Sequence, residues 1–107
     1  MVDANIINLV KKYLDVLSSE GIFISKAYLY GSQANGTATE DSDIDLMLIS
    51  PLFDEDADKY APALWLSTRN VSYKIEPIAV GEKRFQSDEV SPLIQTVRQE
   101  GIEIIAA

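Results

Sequence analysis

The chain of 107 residues carries 17 acidic and 9 basic side chains, a formal charge of −8, and neither cysteine nor histidine. Those counts exclude disulfides, thiolate metal sites, a cysteine nucleophile, histidine-ligated zinc and a histidine general base, so any chemistry rests on carboxylates, hydroxyls and backbone amides. The negative balance argues against direct nucleic-acid binding by counterion release, whereas a small anionic substrate is compatible if metal ions neutralise the carboxylates around it.

The length fits one compact domain, residues 1–107, with 47% hydrophobic residues and little glycine or proline, a composition that folds rather than stays disordered. The start, Met1-Val2-Asp3-Ala4-Asn5, lacks a basic stretch followed by an apolar run, and no later segment approaches the roughly 18 apolar residues of a membrane span. A cytoplasmic location with no membrane contact is the expectation.

Ile6, Ile7, Val10, Leu14 and Leu17 fall at helical spacing between Asn5 and Glu20, with Lys11, Lys12 and Asp15 on the other side and Gly21 as a stop. Ile22 to Tyr30 is rich in β-branched and aromatic residues and predicts a first strand. Gly31 to Ser42 turns small and polar, a loop with room for one short helical turn. Asp43 to Ser50 alternates Ile44, Leu46 and Leu48 with Asp43, Asp45 and Met47, a second strand that Pro51 ends. The acids of Asp54 to Asp58 suit a helix N-terminus, followed at helical spacing by Ala57, Tyr60, Ala61, Leu64, Trp65 and Thr68, with Pro62 as the expected kink or first turn. Val71 to Val80 reads as a third strand and Gly81 to Asp88 as a loop or short helix. Ser91-Pro92 reads as an N-cap with proline at the first helical position, Leu93, Ile94 and Val97 as a helix closed by Gly101, and Ile102 to Ile105 as a last strand. This order predicts an α+β (α/β-like) fold: a small mixed β-sheet flanked by helices.

Chemistry concentrates in Leu29-Tyr30-Gly31-Ser32-Gln33-Ala34-Asn35-Gly36 and, with ten residues between it and Ser32, Asp43-Ile44-Asp45-Leu46. Residues two apart in a strand project from one face, about 6.5 to 7 Å apart along the chain, so the carboxylates of Asp43 and Asp45 are able to converge on a cation or a cation pair. Oxygen ligands select a hard ion, magnesium or manganese, which bridges triphosphate oxygens without any need for histidine. Gly31 admits backbone angles closed to other residues, and Ser32 stands where a following helical turn points amides and a hydroxyl at an anion.

Asp43 alone is better explained by a polar strand entry. Asp45, between Ile44 and Leu46, is costly in a buried strand unless ligated or paired. Glu76, which interrupts the apolar run Tyr73-Lys74-Ile75-Glu76-Pro77-Ile78, is the candidate third carboxylate and a base for an acceptor hydroxyl. A pair with Lys74, or an edge position before Pro77, explains it equally.

These residues resemble the DNA polymerase β-like nucleotidyltransferase superfamily and, within it, the minimal nucleotidyltransferases. The resemblance runs from the strand before Gly31 to Gly101-Ile102-Glu103. It implies the polymerase β-like fold, with Gly31 and Ser32 binding the triphosphate of ATP or another NTP, and Asp43, Asp45 and Glu76 as catalytic ligands of magnesium or manganese. That family often has arginine at the position of Asn35, and aspartate at that of Glu76. The resemblance further implies transfer of AMP to a hydroxyl of a partner protein, a helical HEPN-domain toxin to which such proteins are antitoxins. Docking without transfer, and a nucleotide-binding regulatory module, are the alternatives; a homo-oligomer is compatible with each.

Other conspicuous residues have plainer explanations. Asp54 to Asp58 reads as a solvated helix start, Tyr28, Tyr30 and Trp65 as core, and Lys83 and Arg84 as a solvated loop.

Overall fold

A computed structural model describes residues 2–105. The first helix, α1 (Ala4–Ser19), starts where the Asp3 carboxylate accepts the Asn5 amide at 2.8 Å, and it buries Val10, Tyr13, Leu14 and Leu17. Strand β1 (Lys26–Tyr30) begins four residues later than its composition predicts. Ile22 is buried there but Phe23 is exposed, and the pairing with the next strand begins only as Ser25 donates its amide and hydroxyl to the Ile49 carbonyl. A four-residue helical turn, α2 (Ser32–Asn35), follows Gly31, and then comes β2 (Ile44–Ser50).

Helix α3 (Leu52–Ser67) breaks at Asp56, not at Pro62. Asp56 leaves the helical region (φ −161°, ψ 88°) and its carboxylate accepts the Lys59 amide at 3.1 Å, capping the segment that continues to Ser67. Pro62 keeps helical angles on an exposed part of that segment. A 3-10 turn (Thr68–Asn70) occupies residues near the expected start of the third strand, so β3 is confined to Ile75–Gly81. Short helices α4 (Glu82–Ser87) and α5 (Pro92–Glu100) follow, the latter capped by the Ser91 hydroxyl with Pro92 in its first turn, and β4 (Ile102–Glu103) closes the chain order.

The sheet runs β3-β2-β1-β4, with β2 and β3 parallel and the other pairs antiparallel, the expected mixed sheet. Alternate residues of β2 supply two cores. Ile44, Leu46 and Leu48 join Val10, Tyr13, Leu17, Phe53 and Leu64 beneath α1 and α3, whereas Met47 and Ile49 join Tyr30, Val80, Ile94 and Val97 beneath α5. Trp65, expected in the core, is 48% exposed. The inward stripe of α3 is Tyr60, Leu64 and Ser67, and a residue one place beyond Leu64 lies about 100° around the helix. Among the described residues no helix is long and apolar enough to cross a membrane.

Candidate active site

The second core stops short of the β2 entrance. On that face the register sets Tyr30, Asp45 and Glu76 in one row across β1, β2 and β3. Adjacent strands lie about 4.8 Å apart, which brings Asp45 and Glu76 side by side. Asp43, two residues before Asp45, completes the group from the loop, with its carboxyl in hydrogen-bonding reach of that of Glu76.

The crowding shows in the protonation equilibria. The Glu76 carboxyl is held above its ordinary range by the hydrogen-bonding approach of the Asp43 carboxyl, then by burial and the charges of Asp43 and Asp45. Burial raises Asp45, and Asp43 adds to it. The Tyr30 phenol, 9% exposed, is pushed up to about 12 by burial and then by Asp45 and Glu76.

No basic side chain relieves this charge. Among the described residues the only ion pair is Arg84 with Asp88, so Asp45 is not salt-bridged. Lys74, the alternative partner of Glu76, instead donates to the Glu40 carbonyl. A hard divalent cation fits such an oxygen-only donor set. No three of these groups already stand at the spacing of a formed metal site among the described residues. Rotamer changes of the three side chains would be needed to close them around an ion.

Gly31 is required here twice over. Its φ of 69° with ψ of −147° lies in a region essentially confined to glycine, and a Cβ at this position would strike the Asp45 carboxylate. The amides of Ala34 and Asn35 turn back to the Gly31 carbonyl, so the free end of α2 is that of Ser32 and Gln33. Asn35, at the position where the resembled family often carries arginine, caps the loop: its side-chain oxygen accepts from the Thr37 amide (3.1 Å) and hydroxyl (2.6 Å).

The structure thus brings together Asp43, Asp45 and Glu76, with Gly31 against Asp45 and Ser32 next in the chain. Tyr30 is core as expected, whereas the placement of Gln33, and of Asp54 at the far end of the sheet from the acids, is not signalled by the sequence. Tyr30 is the member of the second core nearest the acids, and its position opposite Asp45 is a matter of register. Gln33 is buried to 8% exposure in a stretch whose small polar residues signal only a loop. Asp54, read as part of a solvated helix start, accepts the Lys83 and Arg84 amides at 2.9 and 3.3 Å and so caps α4 across the fold. Lys83 and Arg84 are exposed as expected, although on a helix.

A cleft of about 750 Å³ adjoins the loop, lined by Ser32 and Gln33 together with Asp3, Ile6, Glu40 and Lys74. A smaller hollow of about 300 Å³ at Leu14, Phe23 and Ile105 contains none of the candidate residues and lies away from the acids.

Comparison with known proteins bears on the same residues. A family described as a nucleotidyltransferase domain matches residues 10–102, which include the loop and all three acids. The fold is similar to the crystal structure of a protein from Sulfolobus solfataricus described as a candidate nucleotidyltransferase, with a TM-score of 0.60 over 92% of this chain and 78% of that one. At 15% identity that likeness concerns the fold alone. No curated protein matches the sequence.

Proposed function

The chain belongs to the nucleotidyltransferase domain family, and on that footing we propose that it transfers AMP from ATP to a hydroxyl of a partner protein, as antitoxin to a helical HEPN-domain toxin. The supporting observation is the row of Asp45 and Glu76 with Asp43 beside it, three acids without a cationic partner among the described residues. In this reading Asp43, Asp45 and Glu76 hold magnesium or manganese. The ion supplies charge neutralisation for the triphosphate and the departing pyrophosphate.

The chain's own groups do the rest. The free amides and hydroxyl at Ser32 orient the triphosphate, and Gly31 allows it to approach. The acceptor oxygen bonds to the α-phosphorus as the bond to the bridging oxygen breaks. The acceptor's proton passes to the Glu76 carboxylate.

Incubation with α-labelled ATP, magnesium and the product of the neighbouring gene is expected to label that partner, and Asp45→Ala to abolish the label. A partner labelled equally by the variant refutes the assignment of these acids. Asn35 in place of the family's arginine favours a second reading, neutralisation by docking alone; there Asp43→Ala/Asp45→Ala would still protect cells from the toxin.

A further inference from the structure

We infer that Lys74 is a positioning residue for the metal, stapling the loop that carries Asp43 to the strand that carries Glu76. The inference rests on the reading of Asp43, Asp45 and Glu76 as metal ligands. Asp45 and Glu76 are placed by strand register, but Asp43 lies just outside β2. It ends residues 36–43, a mostly exposed run with no helix or strand. A ligand on such a segment binds a cation well only if its backbone is held in place beforehand.

Lys74 supplies that hold twice. Its Nζ donates to the Glu40 carbonyl, and its own carbonyl accepts the Ile44 amide at 2.8 Å. The two contacts grip the chain on either side of Asp43. The first holds more than Glu40, because Ser42 donates its amide to the Thr39 carbonyl at 3.1 Å and its hydroxyl accepts the Thr39 amide at 2.8 Å. Residues 39–42 are thereby closed into one turn, and fixing Glu40 fixes the turn from which Asp43 emerges.

The anchor itself is held. The Lys74 amide donates to the Ser72 hydroxyl at 3.2 Å, and the Ser72 amide donates to the Thr68 carbonyl at 2.8 Å. Glu76 stands two residues beyond Lys74, so the loop acid and the strand acid hang from one short stretch of chain. Their carboxyls accordingly come within hydrogen-bonding reach. From α2, the buried Gln33 adds a long bond of 3.4 Å from its Nε2 to the Asp43 carbonyl. Lys74 makes no ion pair among the described residues, so its ammonium serves the loop backbone and not a carboxylate.

The sign of the effect separates positioning from charge. Removing a positive charge from the neighbourhood of a cation site favours the cation by Coulomb's law, so an ammonium acting as a charge alone predicts tighter metal binding in Lys74→Met. Loss of a hold on a ligand predicts the opposite, and groups that support metal ligands typically matter by about 10- to 100-fold in affinity.

The test is titration of manganese(II) into the nucleotide-free protein, followed by loss of the free-ion EPR signal. Lys74→Met keeps the stem of the side chain and the backbone contact to Ile44, so its melting temperature in chelator should stay close to that of the wild type. It is expected to bind manganese about tenfold more weakly. Lys74→Arg, which keeps a charged donor on a long stem, should recover most of the loss. Unchanged or tighter binding by Lys74→Met, no recovery in Lys74→Arg, or a large fall in the Tm of Lys74→Met overturns the proposal. Manganese bound no better by the wild type than by Asp45→Ala would instead remove the metal site on which it rests. Should binding depend on Lys74 while no partner is labelled, the positioning role stands and the transfer reading falls.

Discussion

The two faces of β2 differ in what covers them. Toward α1 and α3, Ile44, Leu46 and Leu48 are all fully buried. Toward α5, Met47 and Ile49 are buried but Asp45 is left partly open, because that cover ends before the strand entrance. One strand thereby lends one row of side chains to a continuous core and the entrance of the other row to the candidate site. The contrast predicts that substitutions one residue apart fail in opposite ways.

The largest effect is expected from Asp45→Asn. If Asp45 holds metal as proposed, its loss should lower transfer by about 10³-fold or more, by the magnitude typical of lost electrostatic stabilisation. Without metal the same change should leave the protein as stable or slightly more so. Asp45 and Glu76 both have folded-state proton affinities above their unfolded values, so their favourable contribution is complete only below the ordinary carboxylate range and is lost as pH rises through the raised values. At neutral pH the acids therefore cost stability, by less than about 1 kcal/mol given their contact with water. Thermal melts in a chelator at pH 7 check this; a large drop in Tm would make Asp45 a structural residue.

Leu46→Ala sharpens the comparison from the other face. It opens a cavity beneath α1 and α3 and should cost about 3 kcal/mol in urea unfolding, within the range for buried leucines. At temperatures where the variant is folded, transfer per folded molecule should be close to normal. Activity lost without stability would contradict the division of the strand into two roles.

The burial contrast was legible because β2 states it in period two, and the candidate site because Gly31-Ser32 and Asp43-Ile44-Asp45 carry backbone and charge requirements that few other residues meet. Glu76 was readable only as an acid interrupting an apolar strand; the parallel register that seats it beside Asp45 is a tertiary fact. Trp65 misled because apolar identity near a helical stripe does not fix its angle on the helix. Asp54 and Gln33 misled in the other direction. An acid within an acidic run and an amide within a polar loop look solvated until a distant helix end or a carbonyl is brought against them.

A finer distinction separates two phenols, one for each face. Tyr13 lies in the larger core, where its hydroxyl donates to the Leu64 carbonyl at 2.7 Å, and its ionisation is driven upward chiefly by burial, with Glu20 adding to it. Tyr30 is raised to about 12 by burial with the added charges of Asp45 and Glu76. For both, the neutral form is favoured in the folded state, so their contribution is full below the unfolded value near 10 and falls away as pH rises past it, which predicts progressive alkaline destabilisation. Only one of them should sense the site. In Asp45→Asn/Glu76→Gln the Tyr30 phenol should ionise at lower pH, though still above 10 because burial is its larger cause, while Tyr13 should not move. Spectroscopic titration of tyrosinate absorbance, with Tyr30→Phe to assign the transition, reads the difference directly. A shift of both phenols would mean that the substitutions loosen the whole sheet, whereas a shift of Tyr30 alone would show that the acids act as a local cluster of charge at the edge of the second core.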